Sequence, residues 1–142
     1  MALYYFKRSC LFVFFLMSLC LSAQNKFTLE ISFVGFKSDK GNVYVGLHNT
    51  EESFLKDRFK ETVGKIVDNK AKIVFKDLPK GDYTVSAFHD ENNNHKLDTN
   101  FIGIPKEPYG ISNNAKGFMG PPKYKDARFL VDENKIIQIT IE

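Results

Sequence analysis

Cysteine occurs only at Cys10 and Cys20, so the rest of the chain offers neither a disulfide framework nor a thiolate for catalysis or metal binding. Long apolar runs are also missing. The stretch from Cys10 to Leu21 is about a dozen residues, against the roughly twenty that a bilayer-spanning helix needs. Clusters of one charge sign are lacking as well: 20 Lys and Arg stand against 17 Asp and Glu, a net charge of +3, and no basic face stands out. Neutralising phosphates takes clustered Lys and Arg, so a nucleic-acid partner is set aside.

What is present at the start is Lys7 and Arg8, the apolar run, then Ser22, Ala23 and Gln24. Positive residues, a short hydrophobic region and small residues at a cut are the order of a secretory signal. Residues 1–23 are therefore expected to be a signal peptide cleaved after Ala23, with the protein exported to the periplasm, the cell surface or the medium. Cys20 follows Leu19, which makes a poor acyl-anchor signal. Cleavage removes both cysteines together with Lys7 and Arg8, leaving 18 basic and 17 acidic residues, a formal charge of +1 and no transmembrane segment. Residues 24–142 have the length of one domain with a single core.

Phe27, Leu29, Ile31 and Phe33 alternate with polar residues, and Val43, Val45 and Leu47 repeat the pattern after a turn around Gly41. Between Asn49 and Thr62 the spacing shifts toward a short helix or a structured loop, with Asn49 and Glu52 as its cap. Strand character returns at residues 65–67 and 72–75, a turn is expected from Asp77 to Gly81, and Tyr83, Val85, Ala87 and His89 alternate again. Phe129 and Val131, then Ile137, Ile139 and Ile141, complete about seven strands without a long helix. The pattern predicts an all-β antiparallel sandwich with lysines such as Lys72 and Lys135 guarding its edges. Its expected core holds Leu29, Ile31, Phe33, Val43, Val45, Leu47, Phe75, Tyr83, Val85, Ile137 and Ile139.

From Asp90 to Asp126 neither period appears. This stretch contains four of the five prolines and four of the nine glycines, yet Phe101, Ile102, Ile104, Tyr109, Phe118, Met119 and Tyr124 supply anchors that a solvated linker lacks. It is read as one long ordered loop, 90–126, and loops of such length are usually functional.

At its mouth stand Asp90, Asn92, Asn94 and Asp98. Counted from Asp90, they place oxygen-bearing side chains at positions one, three, five and nine, with the Lys96 carbonyl at seven. A hard cation such as calcium takes oxygens at this spacing. The sixth position, where calcium loops place Gly, is His95, and the twelfth, where a helix-hand loop has Glu, is Phe101. The paired-helix hand is thereby excluded and a shorter inter-strand calcium loop remains. The competing reading is an Asn-rich turn that satisfies its own backbone.

The stretch GDYTVSAFHDENNNHKLDTNFIGIPKEPYGISNN, followed by FMGPPKYKDARF, resembles the bacterial domain-of-unknown-function family 2141 over nearly all of residues 24–142. The specific positions are Tyr83, His89 to Asn92, Asn94, Asp98, Gly103 to Pro105, Glu107, Tyr109-Gly110, Ser112 to Asn114 and Pro122 to Ala127. At Asn93 and His95 the family pattern usually has glycine. The resemblance implies a small exported protein of Bacteroidetes-type bacteria with a transthyretin-like or immunoglobulin-like sandwich, and no assigned activity.

Enzyme readings are weaker. His89, with Asp90 and Asp98, suggests a metal-dependent hydrolase. No activated nucleophile accompanies them, Gly110-Ile111-Ser112-Asn113 lacks the second glycine of a nucleophile elbow, and His89 is more simply a structural hydrogen bonder. Asp90 with Asp98, or Glu91 with Glu107, has the composition of a glycosidase pair. Tyr44, Tyr109, Phe118 and Tyr124 either form a platform for sugar or peptide or pack the loop down. The sequence thus favours a non-catalytic envelope or secreted accessory module that binds a ligand or partner through loop 90–126, with calcium as its expected ion.

Overall fold

The computed structural model describes residues 25–142, and the expected signal segment lies outside the described residues. The strands are β1 (Lys26–Val34), β2 (Asn42–His48), β3 (Lys60–Lys65), β4 (Lys70–Pro79), β5 (Gly81–Asp90), β6 (Tyr109–Ile111), β7 (Phe129–Val131) and β8 (Lys135–Thr140). A 3-10 turn, Ser112–Asn114, and a single helical turn, α1 (Tyr124–Ala127), are the helical elements among the described residues after β1. No helix among the described residues is long and apolar enough to cross a membrane.

The strands form two sheets. One has the order β4-β1-β8; the other runs β3-β2-β5-β6, with β7 also pairing to the start of β5. In β1, Leu29, Ile31 and Phe33 turn inward while the residues between them are half exposed, as the period of two requires. They meet Val43, Val45 and Leu47 of β2 and Tyr83, Val85 and Ala87 of β5 in one core shared by both sheets, a sandwich-like arrangement. Of the residues expected there, Ile137 is only partly buried and the other ten are buried. Lys72 and Lys135 do lie on β4 and β8, the two edges of the smaller sheet.

Three expectations are corrected. Eight strands are formed, not about seven, because Tyr109–Ile111 pairs with Ser86–Phe88 of β5 inside what the sequence presents as one loop. The sheets are not wholly antiparallel: β1 and β8 run parallel, Leu29 opposite Lys135 through Val34 opposite Thr140. The turn expected from Asp77 is shorter, since β4 continues to Pro79. Asp77 takes a left-handed φ of 58°, and the β1–β4 register shifts there as at a bulge. Residues 49–59 form turns, with Thr50 and Ser53 exchanging backbone-to-hydroxyl bonds of 3.2 and 3.3 Å. Phe54 from that segment joins Ile111 and Ala127 in a second, smaller core.

Candidate functional site

β5 delivers Asp90, fully buried, to the mouth of the 91–107 excursion. Its carboxylate accepts the backbone N–H groups of Asn94 (3.1 Å) and His95 (2.9 Å), folding the chain back over the strand end. That reversal needs left-handed backbone at two points, and Asn93 (φ 59°) and His95 (φ 65°) supply it. Asn and His tolerate this region better than most residues, so glycine is dispensable at both positions. Two side-chain bonds secure them: Asn42 Nδ2 donates to Asn93 Oδ1 at 2.6 Å, and the Tyr44 hydroxyl bonds His95 Nδ1.

The alternating asparagines build the rest. Asn92 Oδ1 accepts the Asn94 N–H (2.9 Å) and Asn94 Oδ1 accepts the Lys96 N–H (2.8 Å), two successive Asx turns. Their amide nitrogens converge on Asp98, at 2.6 Å from Asn92 and 3.0 Å from Asn94. Asp90, Asn92, Asn94 and Asp98 therefore belong to one hydrogen-bonded loop, which Lys96 joins through its backbone amide. Among the described residues no three His, Cys, Asp or Glu side chains gather as a metal site, so a cation here depends on amide and carbonyl oxygens beside two carboxylates.

Glu107 is the residue that sequence reasoning missed in this role. Nearly buried, it accepts the N–H of Glu91 at 3.3 Å and of Asp98 at 3.0 Å, clamping the two ends of the 91–98 loop with one carboxylate. It thus closes the loop. Lys106 N–H donates to the Asp98 carbonyl (2.8 Å), and Thr99 bridges Pro105, so residues 98–107 form a hairpin-like finger. Asn100 Oδ1 braces its tip by accepting the N–H groups of Ile102 and Ile104.

The other resemblance-bearing residues are fasteners too. Buried Ser112 donates its hydroxyl to the Ala127 carbonyl (2.6 Å) and accepts the Val85 N–H (2.9 Å), stapling α1 to β5. Asn113 Nδ2 donates to the carbonyls of Asp126 and Arg128, and Asn114 Oδ1 accepts the Thr140 N–H. These bonds commit the serine to structure.

His89 is fully buried against Phe36, and its Nε2–H donates to the Lys40 carbonyl at 2.6 Å. Nδ1 has no hydrogen-bond partner, its nearest carboxylate oxygen being Glu91 Oε1 at 3.6 Å. A ring enclosed in this way has no path to a substrate. The four aromatics do not form one platform: Tyr124 packs beside the second core, while Tyr44 stacks on Phe88, which faces Tyr109 across β5 and β6.

A second histidine is also enclosed. His48 Nδ1–H is shared by the carbonyls of Asp57 (2.9 Å) and Ser53 (3.1 Å), and Nε2 accepts from the Ser86 hydroxyl (2.9 Å). Burial holds its pKa below the usual histidine value, the two backbone carbonyls opposing that shift and Arg58 adding to it. A histidine depressed by folding binds its proton more readily when unfolded. Its stabilisation is therefore complete above about pH 6.5 and is lost as pH falls toward the folded value, by about 1.4 kcal/mol per unit of depression. Melting temperature is expected to fall between about pH 7.5 and 5.5, and His48→Gln to flatten that slope in a series of thermal melts. An unchanged slope would assign the acid sensitivity elsewhere.

The fold and loop together define an all-β protein whose long inter-strand excursion is pinned by buried carboxylates and carries no assembled nucleophile. The chain belongs to the family described as uncharacterized protein conserved in bacteria, DUF2141, which it matches over residues 31–139, from within β1 to within β8. No curated protein and no solved structure matches it.

Proposed function

We propose that the protein is a non-catalytic, exported accessory module of the bacterial envelope, an immunoglobulin-like or transthyretin-like sandwich. In this reading the region 90–126 engages a ligand or partner, and Asp90, Asn92, Asn94, Lys96 and Asp98 take up calcium. The observation that carries the calcium reading is the left-handed turn at His95, φ 65°, the sixth position, where calcium loops require a sharp turn. The sandwich reading draws support from Tyr83, whose hydroxyl donates to the Pro79 carbonyl four residues upstream (2.8 Å), as a tyrosine corner does. Export rests on the order of residues in 1–23.

Asp90, Asn92, Asn94 and Asp98 would hold the ion through side-chain oxygens, Asp98 giving up the amide bonds it accepts from Asn92 and Asn94, and the Lys96 carbonyl would contribute a further oxygen. The ion's charge would offset the repulsion between Asp90 and Asp98. At a hundredfold excess over its Kd, calcium stabilises the folded state by about 2.7 kcal/mol. That corresponds to a rise in Tm on the order of ten degrees for a domain of this size. Chelator should reverse the rise and magnesium should substitute poorly, because it demands a tighter octahedron. Identical melting curves in calcium and chelator, for protein shown to start metal-free, would leave the loop as an Asn-rich turn.

A further inference from the structure

Ser86 and His48 are diagonal neighbours on the outer face of the larger sheet, since β2 and β5 place Gly46 opposite Ser86 and His48 opposite Thr84. The His48 ring is buried, and its Nδ1–H is held by the Asp57 and Ser53 carbonyls, which leaves the lone pair on Nε2. That lone pair accepts the Ser86 hydroxyl at 2.9 Å. Burial keeps the imidazole neutral at about pH 7, free to take a proton. Ser86 is half-buried, whereas Thr84, Val85, Ala87 and Phe88 around it are buried. A hydroxyl, a base within hydrogen-bond reach and a group that fixes the base are the parts of an activated serine.

A fourth part comes through Gly46. Glycine weakens a strand interior and marks a place where another group comes close. Here that group is the Arg58 side chain: a Cβ on Gly46 would lie 3.0 Å from its Cδ and 3.2 Å from its Nε. The guanidinium, paired with Glu61 at 2.9 Å, therefore stands on the outer face one strand away from Ser86, where it meets negative charge developing on a carbonyl oxygen. We propose that Ser86 is a nucleophile that takes one acyl group from an activated ester, with His48 as its base and Arg58 facing the developing oxyanion. The Ser86 Oγ–carbon bond forms as the bond from the carbonyl carbon to the leaving oxygen breaks, the electron pair departing with that oxygen. The Ser86 proton passes to His48 Nε2 and on to the departing alkoxide, which returns the imidazole to its neutral form. Once Oγ is esterified, the ring, buried on its other sides, has no approach for the water that hydrolysis needs, so the acyl group stays. The result is covalent capture without turnover, which goes beyond the binding role of region 90–126 and does not depend on it.

The test treats the full chain with p-nitrophenyl acetate and follows both nitrophenolate release and protein mass. Release of one equivalent is expected, with one acetyl group mapped to Ser86 by peptide mass spectrometry. Ser86→Ala should abolish that adduct, and His48→Gln should slow its formation by about a hundredfold or more. Arg58→Gln should slow it on the order of tenfold, less than for an enclosed donor because the guanidinium is half exposed. Thermal melts of each variant report that it is folded. Unfolding the parent in urea should remove the reactivity as well, because the Ser86–His48 pair exists only in the fold. A parent that stays unmodified, acetylation confined to lysines, or the same rate in Ser86→Ala overturns the proposal. Steady release beyond one equivalent that Ser86→Ala abolishes would overturn capture without turnover, and the non-catalytic reading with it.

Discussion

Replacing Phe33 by alanine is expected to lower the unfolding free energy by about 3–5 kcal/mol, the usual loss for a large aromatic in a close-packed core. Phe33 is fully buried in β1, the central strand of the smaller sheet, with Ala71 of β4 opposite on one side and Ile139 of β8 on the other. Both neighbours are tied to β1 by their strand ladders, so the space left by the ring cannot collapse without breaking register. The loss approaches a large part of the roughly 5–15 kcal/mol that holds a typical domain folded. Phe118→Ala removes the same side chain from a site that is already solvated and should change stability by less than about 0.5 kcal/mol. Urea denaturation of the two variants measures the contrast. A loss below about 1 kcal/mol at Phe33, outside the range for buried aromatics, would mean that the two sheets do not share the core described.

Alternation made the central strands readable, because a strand buried on one face must repeat its apolar residues every second position; β1, β2 and β5 do so. It could not announce β6. Tyr109–Ile111 is three residues between a proline and a polar turn, too short for a period, and it becomes a strand only because Ser86–Phe88 offers an unpaired ladder. β3 lies earlier than the strand character at residues 65–67 suggests, since Lys60–Lys65 is mostly polar and no residue in it is fully buried. Nor does hydrophobic pattern encode strand direction, which left the parallel pairing of β1 with β8 unseen. At the candidate site the spacing of Asp90, Asn92, Asn94 and Asp98 sufficed to find a loop whose members bond to one another. Glu107 escaped because its place depends on the finger that leaves at Asp98 and returns beside it, a closure written in tertiary contacts and not in spacing.

Asp90→Ala is expected to show two different losses depending on the ion present. In chelator the substitution strips the Asn94 and His95 N–H groups of a charged acceptor, bonds worth about 1.5–3 kcal/mol each in favourable surroundings. Two effects reduce that sum: both residues are exposed enough for water to replace the acceptor, and deleting a fully buried carboxylate removes its desolvation penalty. A net loss of about 2 kcal/mol results, chiefly through the loop. In calcium at a hundredfold excess over Kd the parent gains about 2.7 kcal/mol that the variant cannot, so the difference between them widens to nearly 5 kcal/mol. Asp90→Asn keeps a single acceptor oxygen and should fall between. Chemical denaturation of parent and both variants in both conditions reads the six free energies directly. If Asp90→Ala loses the same amount with and without calcium, the carboxylate is a capping group for the turn and nothing more; a loss that grows with calcium identifies it as a ligand.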